Sequence, residues 1–235
     1  MVSGTLYLIP VPLGETPAET VIPSYNTGII NSITEFIVED VRTARRHLKI
    51  MGIKNPIDTL IFHELGKHSD ELQFESYLDA LAQGKNIGLL SDAGCPGVAD
   101  PGAAIVRIAH RKSFRVVPLT GPSSLLLALM ASGSNGQQFI FHGYLPKERP
   151  DRIRKLKELE RNALTLNQSQ LFIETPFRND HVFEDLLTTC KNDTLLCIAC
   201  DITLSSEFIE TKRISAWRAR KPVLHKRPAV FIICT

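Results

Sequence analysis

Directly after the apolar run Asn86-Ile87-Gly88-Leu89-Leu90 stands Ser91-Asp92-Ala93-Gly94-Cys95-Pro96-Gly97-Val98-Ala99-Asp100-Pro101-Gly102. Three glycines, two prolines and two aspartates in twelve residues are heavy punctuation for a connector. Glycine allows positive φ and close approach of backbone to a ligand, whereas proline fixes its own φ. A loop of this kind at the carboxyl end of a buried strand is where an open α/β sheet holds small ligands. A tight turn feeding the next helix is the plainer alternative. Similar punctuation at residues 5–15 and 116–124 favours the ligand loop. Glu39, Asp40, His63 and Glu64 fall at the ends of the second and third predicted strands, so they can face the same cleft as proton acceptors. His63 has an unperturbed pKa near neutrality; a structural or substrate-orienting role is its alternative.

Positioning those groups requires a sheet. Residues 4–10, 36–40, 58–62, 87–90 and 114–118 read as five short apolar strands. The end of a helix is expected over 29–36, and further helices over 41–51, 70–83 and 103–110. Their runs are continuous rather than alternating, which implies a largely parallel sheet covered on both faces. Thr120-Gly121-Pro122-Ser123 marks a boundary, with Ser123 able to cap a helix through Ala131. Strands at 138–144, 170–175, 194–201, 208–213 and 229–234, with helices at 149–162 and 180–190, imply a mixed or antiparallel α+β half. The expected domains are 1–120 and 121–235.

The chain has 235 residues, 43% of them hydrophobic, enough for a substantial core. A formal charge of +2 predicts no general attraction to nucleic acid, but local clusters can act. One is Lys147, Arg149, Arg152, Arg154, Lys155, Lys157 and Arg161, interleaved with acids. Another is Arg218, Arg220, Lys221, Lys226 and Arg227, with Lys212 and Arg213 nearby; Arg42, Arg45 and Arg46 make a third. Five cysteines, an odd number, fit reduced thiols in the cytosol. Cys197 and Cys200 lie within a predicted strand whose period of two puts them on opposite faces, so no metal site is expected. No signal peptide is suggested and the most apolar helix is too short to span a bilayer, so a cytoplasmic protein without a membrane partner is expected.

Neither Gly-x-Gly-x-x-Gly nor a P-loop occurs. Instead, Gly4-Thr5-Leu6-Tyr7 with Pro12-Leu13-Gly14, Glu39-Asp40-x-Arg42, residues 91–102, Pro118-x-x-Gly121-Pro122-Ser123-Ser124, Phe141-x-Gly143-Tyr144-Leu145-Pro146 and Phe172-Ile173-Glu174-Thr175-Pro176-x-Arg178 appear in this order. In them the chain resembles the tetrapyrrole methylase superfamily of S-adenosylmethionine-dependent methyltransferases, and within it the bacterial 16S rRNA ribose 2′-O-methyltransferases. The resemblance spans about residues 4–213. It implies two α/β-type domains with the methyl donor held between them, and a homodimer. It also implies donor contacts at Pro10, Asp92, Ala93, Gly94, Gly97, Val98, Ser123 and Ser124, with Glu174, Ala199, Pro228 and Ala229 from the second half. Glu39, Asp40 and His63 are the expected catalytic groups; Arg42, Arg45, Lys147 and Arg178 are the expected substrate contacts. The implied acceptor is rRNA of the small ribosomal subunit. Where those enzymes carry Glu-Asp-Thr-Arg, this chain has Glu39-Asp40-Val41-Arg42; their Arg-Glu-Leu-Thr-Lys is Cys200-Asp201-Ile202-Thr203-Leu204. Methyl transfer to a tetrapyrrole or another small molecule, and a non-catalytic relative that binds the donor or RNA, are the alternatives.

Overall fold

Continuous apolar strands need cover on both faces, and the first half of the chain supplies it. The computed structural model describes residues 3–66 and 71–234, and the chain divides into two units, Met1–Ser123 and Ser124–Thr235. The first unit contains β1 (Thr5–Ile9), α1 (Ser24–Ile30), β2 (Glu35–Val38), α2 (Val41–Ile50), β3 (Ile61–Glu64), α3 (Glu71–Ser76), α4 (Asp79–Ala82), β4 (Ile87–Leu90), α5 (Gly102–Arg111) and β5 (Arg115–Pro118). The strands run parallel in the order β3-β2-β4-β1-β5. Ile30, Ala44 and Leu48 pack with Ile9, Phe36, Val38 and Leu90 on one face. Leu78, Leu81, Ile105 and Ile108 pack with Leu6, Ile37, Ile87 and Leu89 on the other. The neighbours β1 and β4 therefore send their following helices, α1 and α5, to opposite faces. Such a switch point opens a crevice at the carboxyl ends of the strands.

Gly88 makes room at the centre of this sheet. A Cβ there would meet Ile9 Cδ1 and Phe36 Cδ1 at 2.7 Å each. Both side chains are fully buried, so Gly88→Ala overpacks the core. It is expected to destabilise the first unit by about 1–3 kcal/mol in urea unfolding.

Three boundaries differ from the sequence expectation. The third strand starts at Ile61 rather than Asp58, because Ile57–Thr59 forms a 3-10 turn. Thr59 donates both N–H and Oγ1 to the Pro56 carbonyl there. Asn31 stops α1 by donating its side-chain amide to the carbonyls of Thr27 and Gly52, so Glu35 already belongs to β2. Of the helix expected over 70–83, Asp70 lies outside the described residues; the remainder breaks into α3 and α4 at Tyr77 and Leu78. The break buries both side chains and lets Tyr77 Oη donate to the Glu64 carbonyl.

The second unit contains α6 (Ser124–Ser132), β6 (Phe139–Tyr144), α7 (Arg149–Leu166), β7 (Ser169–Glu174), α8 (Asn179–Thr189), β8 (Leu195–Cys200), β9 (Phe208–Arg213), α9 (Ile214–Ala219) and β10 (Ala229–Cys234). Its sheet runs β6-β7-β10-β8-β9, with β6 and β7 parallel and the other pairs antiparallel. The expected mixed arrangement is the observed one. Leu156, Leu159, Val182, Leu186 and Trp217 from α7, α8 and α9 cover Phe172, Ile198 and Phe231. The six residues of α9 are too few for periodicity to announce; burial of Ile214 and Trp217 holds it, with Trp217 Nε1 donating to the Leu196 carbonyl. Cys200 joins Leu196 and Ile198 on the covered face, which leaves Cys197 on the other as period two requires. No helix among the described residues is long and apolar enough to cross a membrane.

Candidate functional site

At the carboxyl edge of the parallel sheet, three loops close on one another. After β1, Val11 forms an isolated antiparallel bridge with Gly94, its N–H donating to the Gly94 carbonyl at 3.0 Å and the return bond measuring 3.2 Å. Gly94 sits at φ +71°, where a Cβ would lie 3.1 Å from Leu13 Cδ2. After β5, Gly121 lies flat against Pro10, and a Cβ on it would stand 2.3 Å from Pro10 Cβ. The Cys95 thiol donates to the Pro122 carbonyl at 3.3 Å. Pro10, Ala93, Gly94 and the Pro122-Ser123 stretch thus belong to one wall. Further along the β4 loop, Asp100 Oδ1 accepts from the N–H groups of both Gly97 and Gly102 at 2.7 Å. That ties the loop around the exposed Val98.

The polar centre of this edge is the peptide of Asp92. Glu39, just past β2, accepts its N–H at 3.0 Å. From α2, the buried His47 bonds the Asp92 carbonyl through Nε2 at 3.0 Å. A carbonyl only accepts, so Nε2 carries the proton, and the buried Nδ1 is left without a partner. Burial keeps this imidazole neutral by pushing its pKa down. Gripped on both sides, Asp92 is an exposed residue whose carboxylate is only partly desolvated. Its pKa is raised by burial first and then by the charges of Asp40 and Asp100. Glu39 is pushed up to about 7. Burial is the largest cause; the nearby carboxyls of Asp100 and Asp92 add to it against the opposing Asp92 N–H. Asp100 Oδ2 is buried and has no hydrogen-bond partner among the described residues.

The structure separates the expected catalytic groups. Asp40 is the N-cap of α2, accepting the Thr43 N–H at 2.7 Å, and the Thr43 hydrogen bonds hold its carboxyl below the usual range. His63 is bound instead to Glu35, Nε2 to Oε1 at 2.7 Å, and stacks on Tyr77 at 4.6 Å. Glu39 is the one of the three whose side chain accepts a hydrogen bond from the β4 loop, while Asp40 acts on Asp92 through its charge and backbone. Sequence reasoning missed His47 and Asp100. A polar residue on the apolar stripe Ala44-His47-Leu48 was the signal for His47; nothing local marked Asp100 beyond its place in the loop.

In the second unit, Ser124 opens α6. Glu174 ends β7, with Oε1 accepting the Thr175 N–H at 2.8 Å and Oε2 lying 3.0 Å from Arg178. That second contact is a charge pair rather than an aligned hydrogen bond, since Oε2 has no hydrogen-bond donor. Arg178 also donates to the Pro146 carbonyl, so it is committed within the unit, whereas the neighbouring Lys147 is exposed. Ala229 is paired with Glu174 and Cys200, but Ala199 is paired with Val230. The two alanines therefore face opposite sides of the sheet and cannot line the same wall with their side chains. Pro228 is exposed, and its carbonyl accepts the Asp201 N–H.

The three basic clusters are paired to different extents in the fold. Arg149 and Arg152 share Asp185; Arg154 is bonded to Asp151 and Lys155 to Glu158. Arg213, Lys221 and Arg227 pair with Asp193, Glu184 and Asp201, and Arg218 is spent on the Leu187 carbonyl. On α2, Arg42, Arg45, Arg46 and Lys49 are exposed and close no salt bridge among the described residues, although the charges of Arg42 and Arg46 act on Asp40 and Asp92. They line an open groove of about 640 Å³, whose walls also include the acids Asp40 and Glu64.

No protein-family model matches the chain. It is 31% identical over 206 residues to a ribosomal RNA small subunit methyltransferase I of Xylella fastidiosa, covering 88% of this chain and 71% of that one. The protein of the same name from Pasteurella multocida is 30% identical over 234 residues, 98% of this chain and 79% of the other. Among solved structures, the methyltransferase CobJ superposes with a TM-score of 0.65 at 17% identity, over 100% of this chain and 95% of that one. The cobalt precorrin-4 methyltransferase CbiF gives 0.60 at 13%, over 98% and 94%. At these identities the structural likeness establishes the fold.

Proposed function

Since the chain belongs to the ribosomal RNA small subunit methyltransferase I family, we propose that it transfers a methyl group from S-adenosylmethionine to a ribose 2′-hydroxyl of small-subunit rRNA. The observation that carries this reading is Glu39, a carboxylate held near neutrality beside the gripped Asp92 loop at the carboxyl edge of the sheet.

The donor supplies a methyl group that is already electrophilic. What remains for the chain is alignment and removal of a hydroxyl proton. The residues of the first unit suit those tasks. The Asp92 carboxylate is an acceptor for hydroxyl or amino groups of the donor. Glu39 and His47 fix its backbone, so its direction is set before binding. Pro10, Ala93, Gly94, Gly97, Val98 and Ser123 supply the surrounding wall, where the flat Gly121–Pro10 contact and the positive φ of Gly94 let loops approach closely. Glu39, a stronger base than an ordinary carboxylate, takes the acceptor's proton.

Asp92→Ala is expected to weaken donor binding about 10- to 150-fold by calorimetry, the equivalent of one charged hydrogen bond of about 1.5–3 kcal/mol. The function itself is tested by methyl-label transfer into RNA, protein and small-molecule pools from a strain lacking this gene. Label confined to RNA and mapped to ribose is the expected result. Label only in small molecules or protein would overturn the reading.

A further inference from the structure

Arg42, Arg45, Arg46 and Lys49 follow the spacing i, i+3, i+4, i+7, which places four cations on one face of α2. Such a face ordinarily interleaves acids one turn away, as α7 does with Asp151–Arg154 and Lys155–Glu158. Between Val41 and Ile50 there is no acid at all. Like charges a turn apart repel, so this arrangement is unfavourable for the helix on its own. Three neighbours offset part of this: the Arg45 guanidinium lies 5.4 Å over the Phe62 ring, and the charges of Arg42 and Arg46 are felt by Asp40 and Asp92.

The same helix reaches the candidate site. Its buried side sends His47 to the Asp92 carbonyl, and Arg46 is near enough to influence both His47 and Asp92 electrostatically. The groove on its exposed side is also lined by Asp40 and Glu64, at the carboxyl ends of β2 and β3. A polyanion lying along the helix would therefore bring its neighbouring groups to the Glu39–Asp92 edge. We infer that the Arg42-Arg45-Arg46-Lys49 face of α2 is the phosphate-binding track for the RNA substrate, an assignment that rests on the RNA reading above. Contacts of this kind position the substrate and carry no sequence information.

Filter binding of the full-length protein to protein-free small-subunit rRNA, titrated with KCl, tests it. Arg45→Gln combined with Lys49→Gln removes two cations that touch neither Glu39 nor Asp92. The pair should weaken binding about 25- to 60-fold at 0.1 M salt and lower the salt slope by about 1.4–1.8, the counterion release of two phosphate contacts. Unchanged thermal melting and donor affinity would show that this variant folds. Lys157→Gln with Arg161→Gln, on α7, should change neither quantity. If wild type binds rRNA and the α2 variant keeps its affinity and slope, or if the α7 variant shows the loss instead, this surface is wrong while the RNA reading stands. If wild type shows no salt-dependent binding to rRNA, both are overturned.

Discussion

Glu39→Gln should lower the rate of methyl transfer by about 10²- to 10⁴-fold, the usual contribution of a positioned general base, while leaving donor affinity unchanged. The amide keeps an oxygen to accept the Asp92 N–H, so the β4 loop stays gripped; what disappears is the ability to take a proton. Wild-type kcat/KM should rise tenfold per pH unit up to about 7 and then level off, because only the ionised carboxylate acts as a base. The residual activity of the variant should lack that inflection. Stability supplies an independent reading. The folded-state pKa of Glu39 is raised from 4.5 to about 7, so the folded state holds this proton more tightly than the unfolded chain does. Its stabilising contribution is full below about pH 4.5 and is lost as pH rises toward 7. Relative to wild type, the Gln variant should therefore gain stability across that window. A variant with wild-type rate and pH profile would remove Glu39 from the chemistry.

Asp185→Ala should cost about 3–5 kcal/mol in the second unit. Arg152 is buried against α8, with Nε and Nη2 on Asp185 Oδ2 at 2.8 and 2.7 Å. Removing the carboxylate strands that guanidinium, leaving it only the carbonyls of Pro146 and Lys147. Arg152→Ala should cost less, because Arg149 still holds Asp185 at 2.8 Å. Trp217, the single tryptophan, is buried in this unit against Phe183 and Phe208 and reports its unfolding in urea. A loss under about 1 kcal/mol for Asp185→Ala would show that the pair does not hold α7 to α8. The same geometry withdraws the buried Arg152 from binding phosphate, despite its place in a basic run.

Local physics made part of this protein legible from its residues alone. Uninterrupted apolar runs such as Ile87–Leu90 called for a doubly covered parallel sheet, and the Gly, Pro and Asp content of 91–102 marked the strand-end loop that closes on Val11 and Pro122. Such features depend on a residue's own backbone preferences and on the period of its neighbours. Partnership was not legible. The hold on Asp92 joins it to Glu39 and His47 across 53 and 45 residues. Asp40, Glu39 and His63 have similar places in the sequence, yet one caps a helix, one touches the loop and one is paired to Glu35. Strand register alone put Ala199 and Ala229 on opposite faces. The three basic clusters carried the same kind of charge, and packing decided which cations met carboxylates. A side chain's type sets what it can bind or titrate; which groups desolvate it, neutralise it or leave it facing water is decided only when distant strands and helices come together.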